Sequence, residues 1–417
     1  MAAKQADFVV MAKPIGSLCN MRCAYCYYLE ADNGTAPMEP MSDAVLEAFI
    51  KNYVNSVSGD VVSFTWHGGE PTLAGLDFFE RAVALQKKHC PPGKEIWNNL
   101  QTNGVLLDDD WADFLVRERF DVGVSIDGAK HLHEFHRKDA AGNGTYDRTV
   151  AAIKRLQARG LQPDLLCTVS NETAKAGAET YNALKALGTG WMQFIPIVER
   201  DEQGHVTKES VSPEGYGEFL KDVFARWFFH DLPTQSVQLF SEFASVLAGD
   251  SPRLCNMQKV CGNVVVVERD GGVYACDHFV DQAHLLGSVL ESSLAELVTG
   301  EKQLTFGQEK AAVTGTCRAC PWLSACGGGC MKHRFTDSPE GEPHHDYLCP
   351  GLKTFFDYAA PLLRRAMELS LQGKSQQEIM GITAAEERKK YAGVGRNDPC
   401  PCSSGMKFKN CCQHRVP

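Results

Sequence analysis

Phe8-Val-Val-Met-Ala-Lys13-Pro-Ile-Gly16-Ser-Leu-Cys19-Asn-Met-Arg-Cys23-Ala-Tyr25-Cys26 runs a short apolar strand straight into three cysteines at C-x3-C-x2-C spacing. Three thiolates this close can fold round one face of a cubane cluster, each binding one iron, and leave the fourth iron without a protein ligand. An open metal position is where a substrate or cofactor coordinates, by the logic that separates catalytic from structural zinc sites. A zinc site completed by a distant His or Cys is the other reading of the same spacing.

Outward from this stretch, β-rich runs alternate with helix-period segments. Strands are predicted at 8–11, 61–66, 95–101, 122–126, 164–169 and 192–197. Apolar residues at i, i+3, i+4 spacing predict helices between them at 42–57, 76–89, 108–118, 145–159 and 176–187. Ser42, Asp43 and Asp108 are N-cap signals, and Gly160 and Gly188 are stops. Six β/α units in a row predict an α/β fold with a parallel sheet and right-handed crossovers. Periodicity leaves open whether the sheet closes into a barrel. Helices are also predicted at 213–230, 237–248 and about 352–371, with a Gly-rich, short-stranded, cysteine-dense region from Cys255 to Cys349. Residues 372–396 read as a charged linker with a short helix, and 397–417 as a separate small module.

The 417 residues carry 42 Lys+Arg against 52 Asp+Glu, a formal charge of -10, with 44% apolar and 23% charged residues. This composition excludes disordered, collagen-like and low-complexity classes. The acidic balance argues against nucleic acid as a partner. No stretch approaches the ~18 apolar residues of a membrane span, and Met1 to Lys13 shows no export signal. The expected location is therefore cytoplasmic. In a reducing compartment the 17 cysteines are read first as metal ligands rather than disulfides.

Eight of them lie in the cysteine-dense region: Cys255, Cys261, Cys276, Cys317, Cys320, Cys326, Cys330 and Cys349. Eight thiolates suit two four-ligand sites, iron-sulfur or zinc, and spacing alone does not say which four go together. In the tail, Cys400, Cys402, Cys411 and Cys412 suit a closed tetrahedral zinc site, with His414 as a substitute ligand. A module this short needs the metal to fold. Cys90 and Cys167 are left over and read as packing residues.

The C-x3-C-x2-C loop resembles that of radical S-adenosylmethionine (SAM) enzymes, and three further motifs agree. Gly68-Gly69-Glu70-Pro71, Gln101-Thr102-Asn103-Gly104 and Ser125-Ile126-Asp127-Gly128 each stand at the end of a successive predicted strand. Active sites of β/α barrels sit at that face. Lys13-Pro14-Ile15-Gly16, Cys26-Tyr27-Tyr28, Gln193-Phe194-Ile195-Pro196 and Cys276-Asp277-His278-Phe279 resemble the anaerobic sulfatase-maturating enzymes, over roughly residues 8 to 370.

That resemblance implies a partial (β/α)6 TIM-like barrel, followed by a SPASM extension with two auxiliary [4Fe-4S] clusters. The implied domains are a radical SAM barrel at 1–235, the SPASM domain at 236–371, the linker at 372–396 and the zinc module at 397–417. It assigns Cys255, Cys261, Cys276 and Cys330 to one auxiliary cluster and Cys317, Cys320, Cys326 and Cys349 to the other. With the cluster of Cys19, Cys23 and Cys26, this makes three [4Fe-4S] clusters plus SAM. Gly68, Gly69, Glu70, Ser125 and Arg137 are carried over as SAM contacts, with Tyr25 and Val198 near the adenosine. The alternative for Arg137, within the charged stretch His136-Arg137-Lys138-Asp139, is a surface ion pair. Asp277 matches the proposed base, and Tyr28 and Gln101 fall on substrate-facing positions. His67 stands where some relatives have Gln, which bears on peptide contacts.

The implied activity is oxidation of a Cys or Ser in an unfolded or nascent sulfatase to Cα-formylglycine. A low-potential donor such as flavodoxin or ferredoxin is the implied electron source. The tail resembles the SEC-C zinc motif of the SecA export motor, which points to an export chaperone or the ribosome as a further partner. Lys407, Lys409 and Arg415 would form its basic face. Two other readings stay open at this stage. One is a SPASM enzyme that cross-links or epimerises a ribosomal peptide. The other is a non-catalytic zinc-rich adaptor, which leaves the strand-end Gly-Gly-Glu-Pro and Ser-Ile-Asp-Gly unexplained.

Overall fold

A computed structural model describes residues 6–28, 39–232, 234–402 and 405–417. Strands β1 (Val9–Lys13), β2 (Val61–Trp66), β3 (Glu95–Thr102), β4 (Phe120–Ser125), β5 (Asp164–Val169) and β6 (Trp191–Pro196) pair in parallel in sequence order. Their crossovers carry α1 (Asp43–Ser56), α2 (Leu76–His89), α3 (Asp109–Arg117), α4 (Lys130–His136), α5 (Tyr146–Gln157) and α6 (Gly177–Lys185). Ser42 and Asp108 cap α1 and α3 by accepting from the backbone N–H three residues on. Strand faces that alternate buried and half-exposed, as in β2, put Phe64 and Trp66 against Phe49 and Tyr53 of α1 and Phe78 and Phe79 of α2. These T-shaped and stacked rings make the core on which the strand ends are fixed.

The sheet does not end at β1. After α7 (Pro213–His230), β7 (Ser236–Val237) and α8 (Gln238–Leu247), strand β8 (Val264–Glu268) returns to the other edge. It pairs in parallel with β1, from Val9 opposite Val264 to Lys13 opposite Glu268. β9 (Gly272–Tyr274) and β10 (Leu285–Ser288) then add antiparallel strands. The order is β10-β9-β8-β1-β2-β3-β4-β5-β6-β7, so the two edges are different strands and the barrel is open. The β1–β8 pairing and α4 were not among the elements predicted from the sequence.

Short helices α9 (Leu294–Val298), α10 (Glu301–Glu309), α11 (Gly315–Arg318) and α12 (Leu323–Cys326) fill the extension, and α13 (Cys349–Leu371) lies against α7. The stretch expected to be a linker with a short helix holds α14 (Gln376–Lys390), a longer helix with a Ser375/Glu378 capping box. Its buried Ile379, Thr383 and Ala384 and the Arg365–Glu386 ion pair join it to α13. Glycines make the α7–α13 crossing close. A Cβ on Gly351 would stand 1.8 Å from the Pro213 carbonyl oxygen, and one on Gly217 would stand 2.7 Å from the Gly351 carbonyl oxygen. Gly351→Ala should therefore push the helices apart at a cost of about 1–3 kcal/mol or more. A lowered melting temperature of the reconstituted protein is the expected result, and an unchanged one contradicts the crossing.

Candidate functional site

The three-cysteine loop leaves the end of β1 and is held by its neighbours' backbones. Gly69 N–H donates to the Gly16 carbonyl (2.9 Å) and Glu70 N–H to the Leu18 carbonyl (2.8 Å). A Cβ on Gly69 would sit 2.0 Å from the Leu18 oxygen, and Gly68 adopts a φ of +123°. Both glycines are needed to bring the β2 loop onto the cysteine loop. From the other side, Arg22 N–H donates to Lys138 O and Ala24 N–H to His136 O. Asn103, at the end of β3, donates to Asn20 (2.8 Å).

Burial pushes the Cys19 thiol up to about 11 and the Cys23 thiol up to about 12, with each of the three sulfurs in the others' field. Such thiols are protonated at neutral pH until a metal displaces the proton. Among the described residues, only the tail cysteines bring three or more ligand atoms within 4.8 Å of one another.

Behind the loop lies a buried charge network. Glu70 is filled by its own chain: its carboxylate accepts from Thr72 N–H and Oγ1, Thr102 Oγ1 (2.7 Å) and Asn103 N–H (2.7 Å). It therefore braces the β2 loop to the β3 loop at the position expected to contact SAM. Arg137 is 7% exposed and is no surface pair. Its Nε donates to Asp127 Oδ2 (2.8 Å) and one terminal nitrogen to Thr168 Oγ1 (2.9 Å), while Tyr25 donates to the same Asp127 oxygen. Gln101 donates to Ser125 Oγ (3.0 Å), and Val198 is buried at the exit of β6. His136 packs on the Tyr25 ring with both ring nitrogens buried and unpartnered among the described residues. Orphaned donors and acceptors beside the cysteine loop fit a polar molecule bound there.

The extension delivers Asp277 to the same mouth. The side chain of Lys13, 0% exposed at the end of β1, contacts Asp277 Oδ1, and Tyr27 donates to Oδ2 (2.7 Å). Burial alone would raise the Asp277 pKa, but Lys13 and the neighbouring histidines outweigh it and hold the carboxyl well below its usual range. Lys13 also lies 3.5 Å from His67 Nδ1 and 4.0 Å from the Tyr28 ring centroid. Tyr28 donates to Glu268, and Lys332 sits over the Tyr27 ring and pairs with Glu199. Burial, then Lys13, lowers His67 to about 4.

The eight extension cysteines fall into two neighbourhoods. Cys276 feels Cys330 and Cys255, and Cys330 feels Cys255 and Cys261. Separately, Cys326 feels Cys349 and Cys317, and Cys349 feels Cys317 and Cys320. Burial raises the thiol in each of Cys276, Cys326, Cys330 and Cys349 to about 11 or 12. In the tail, Cys402 and Cys411 sulfurs are 3.3 Å apart and Cys411 and Cys412 3.7 Å. Four sulfurs on one zinc ion at 2.3 Å stand ~3.8 Å apart, so the tail fits a single ion. His414 is engaged elsewhere, with Asp222 of α7 (2.8 Å). Arg415 is buried and paired with Glu218 (2.6 Å) and Asp222, so it anchors the tail to the barrel and leaves Lys407 and Lys409 as the exposed cations. Cys167 is buried in β5, within the field of Asp127 and Arg137, and Cys90 caps α2.

Comparison with known proteins matches residues 14–184 to the Radical SAM superfamily, 255–321 to an iron-sulfur cluster-binding domain (SPASM) and 396–413 to the SEC-C motif. The serine-type anaerobic sulfatase-maturating enzyme of Bacteroides thetaiotaomicron is 38% identical over 372 residues, 85% of this chain and 90% of that protein. The chain belongs to the anaerobic sulfatase-maturating enzymes. The cysteine-type enzyme of Clostridium perfringens is 35% identical over 361 residues, 85% of this chain and 96% of its own. The structure described as native anSMEcpe with bound AdoMet and Cp18Cys peptide superposes with a TM-score of 0.79 at 33% identity, covering 86% of this chain and 98% of that one. Radical SAM and SPASM domains carry SAM and iron-sulfur chemistry, which sets the zinc-adaptor reading aside. No helix among the described residues is long and apolar enough to cross a membrane.

In this maturase, sequence reasoning missed Lys13 and Asp127 as site residues, though both stand inside quoted motifs. A lysine closing an apolar strand was the available signal for Lys13. A neutral, half-buried His67 also has a consequence for acid stability. Its folded pKa of about 4 lies below its ordinary 6.5, so the folded state binds fewer protons and loses stability as pH falls through that window. His67→Gln should remove about 1.4 kcal/mol of that loss per pH unit. Melting of the apoprotein between pH 6.5 and 4.5 should then fall less steeply than in the parent, and an identical slope contradicts the assignment.

Proposed function

We propose that the chain converts a Cys or Ser side chain of an unfolded sulfatase segment to Cα-formylglycine without oxygen. The supporting observation is the placement of Asp277, next to cluster-site residue Cys276, at the barrel mouth that holds the three-cysteine loop. When bound, SAM and the cluster of Cys19, Cys23 and Cys26 supply a 5'-deoxyadenosyl radical that takes a hydrogen atom from the substrate Cβ.

The chain's own residues then have three tasks. Asp127 holds Arg137 in place at the SAM end, with the unpaired ring of His136 beside Tyr25. Tyr27, Tyr28 and His67 line the side facing the peptide, with Lys332 pinned over Tyr27. Asp277, kept ionised by Lys13, takes the thiol or hydroxyl proton. Cys255, Cys261, Cys276 and Cys330 would hold an auxiliary cluster, which would supply the acceptor for the one electron that remains. A Ser side chain is then an aldehyde, and a Cys side chain a thioaldehyde that exchanges its sulfur for the oxygen of water.

The remaining partners follow from this chemistry. A low-potential carrier such as flavodoxin or ferredoxin would supply the electron that starts each turnover. The exposed face of the tail, with Lys407 and Lys409, is the surface offered to an export chaperone or the ribosome. Anaerobic metal analysis should find about twelve irons per chain for three [4Fe-4S] clusters and a single zinc for the tail, and zinc without iron refutes the reading. Asp277→Asn should still form 5'-deoxyadenosine but yield no formylglycine in a mass-spectrometric peptide assay. Undiminished aldehyde from that variant removes Asp277 as the base.

A further inference from the structure

Lys310 follows α10 and its side chain is 0% exposed. Its ammonium donates to the carbonyl oxygens of Cys255 (2.6 Å) and Gln258. No ion pair joins it to a carboxylate among the described residues. The groups in its field are Cys261, Cys255 and Cys330, three of the four cysteines of one auxiliary neighbourhood, with the cation of Arg334 beyond them. Asp346 lies within electrostatic range of both cations but pairs with neither. Arg334 is spent on the carbonyls of Gly327, Gly328 and residue 310 itself.

A buried cation without a counter-ion costs several kcal/mol. The chain bears that cost here and nowhere in the extension supplies a carboxylate against the Lys310 ammonium. Four thiolates on iron form an anionic cluster, and it becomes one charge more negative when reduced. Cluster potential follows net charge and hydrogen bonding around the sulfurs. An ammonium held on the Cys255 and Gln258 carbonyls, with three of the four ligands in its field, therefore favours the reduced form.

We propose that Lys310 is the resident counter-charge of the Cys255, Cys261, Cys276 and Cys330 site and raises its reduction potential, which makes it the acceptor of the substrate's electron. This rests on the function proposed above. The step balances: the substrate carbon radical gives one electron to this site while its heteroatom proton passes to Asp277 and the C=S or C=O bond closes. Asp277 lies in the field of both Cys255 and Cys276, so proton and electron leave on the same side.

The test separates charge from hydrogen bonding. Lys310→Arg keeps a cation and its donors, whereas Lys310→Gln keeps a donor and loses the charge. Both are made in full-length protein in which Cys19, Cys23 and Cys26 are alanine, so that only the extension loads iron, and are titrated anaerobically by EPR. The expected result for the Gln variant is that one of two reductive waves moves to lower potential. The reduced-to-oxidised ratio should fall at least tenfold, ~59 mV for one electron, with the other wave unmoved and the Arg variant near the parent. If the Gln variant instead loses one cluster's iron and the Arg variant keeps it, the counter-charge role also stands. Unchanged potentials in the Gln variant, or equal losses in both variants, overturn it. A parent protein without iron in the extension overturns the proposed function instead, and is read in the same experiment.

Discussion

The parallel ladder between β1 and β8 is the contact on which the rest depends. It joins a strand from the start of the chain to one from the extension, residue for residue from Val9 with Val264 to Lys13 with Glu268. Its last pair points at the barrel mouth. Lys13 therefore meets Asp277, Glu268 meets Tyr28, and the three-cysteine loop leaves the same strand end. A slip of one residue would turn Lys13 to the opposite face. The buried Lys13–Asp277 pair is itself poor evidence for stability, since desolvation offsets much of the attraction. Its value is positional: one partner alone would be a stranded charge, so the two segments are held to a single register.

The same device recurs at each site. Arg137 is buried against Asp127, Arg415 against Glu218 and Asp222, and Lys310 faces cysteines. Each buried cation fixes a segment distant in sequence: the α4 end to the β5 strand through Thr168, the tail to α7, and the end of α10 to the Cys255 loop. The substrate side, by contrast, holds Asp277 with Lys13 as its direct partner and Glu268 on Tyr28, beside a neutral His67. Lys13 keeps the Asp277 carboxylate ionised and Tyr27 donates to its other oxygen, so it stands in the form that accepts a proton from a thiol or hydroxyl.

What could be read from the residues was local. Strands at 61–66 and 164–169 and helices at 76–89 and 213–230 have the predicted bounds, because period and caps are written in neighbouring residues. The helix α14 was expected only as a short piece of a charged linker, although Ser375 and Glu378 three apart signal its start. Pairing between β1 and β8 had no such trace, since nothing in Val264–Glu268 says which edge it joins. Glu70 and Arg137 show the limit for side chains. Their motifs placed them correctly at strand and helix ends, yet their partners, Thr102, Asn103 and Asp127, come from other loops and were invisible to spacing. Arg415 read as a surface charge for the same reason.

The central claim is that the barrel mouth joins hydrogen abstraction at one end to proton and electron removal at the other. It is tested most directly with a sulfatase-type peptide deuterated at the Cβ of its Cys or Ser, incubated anaerobically with the reconstituted parent enzyme, SAM and reductant. The account predicts 5'-deoxyadenosine carrying the deuterium, in step with a peptide aldehyde that a hydrazine traps. SAM cleavage without label transfer, or a labelled peptide whose product is cross-linked or epimerised rather than an aldehyde, would contradict it.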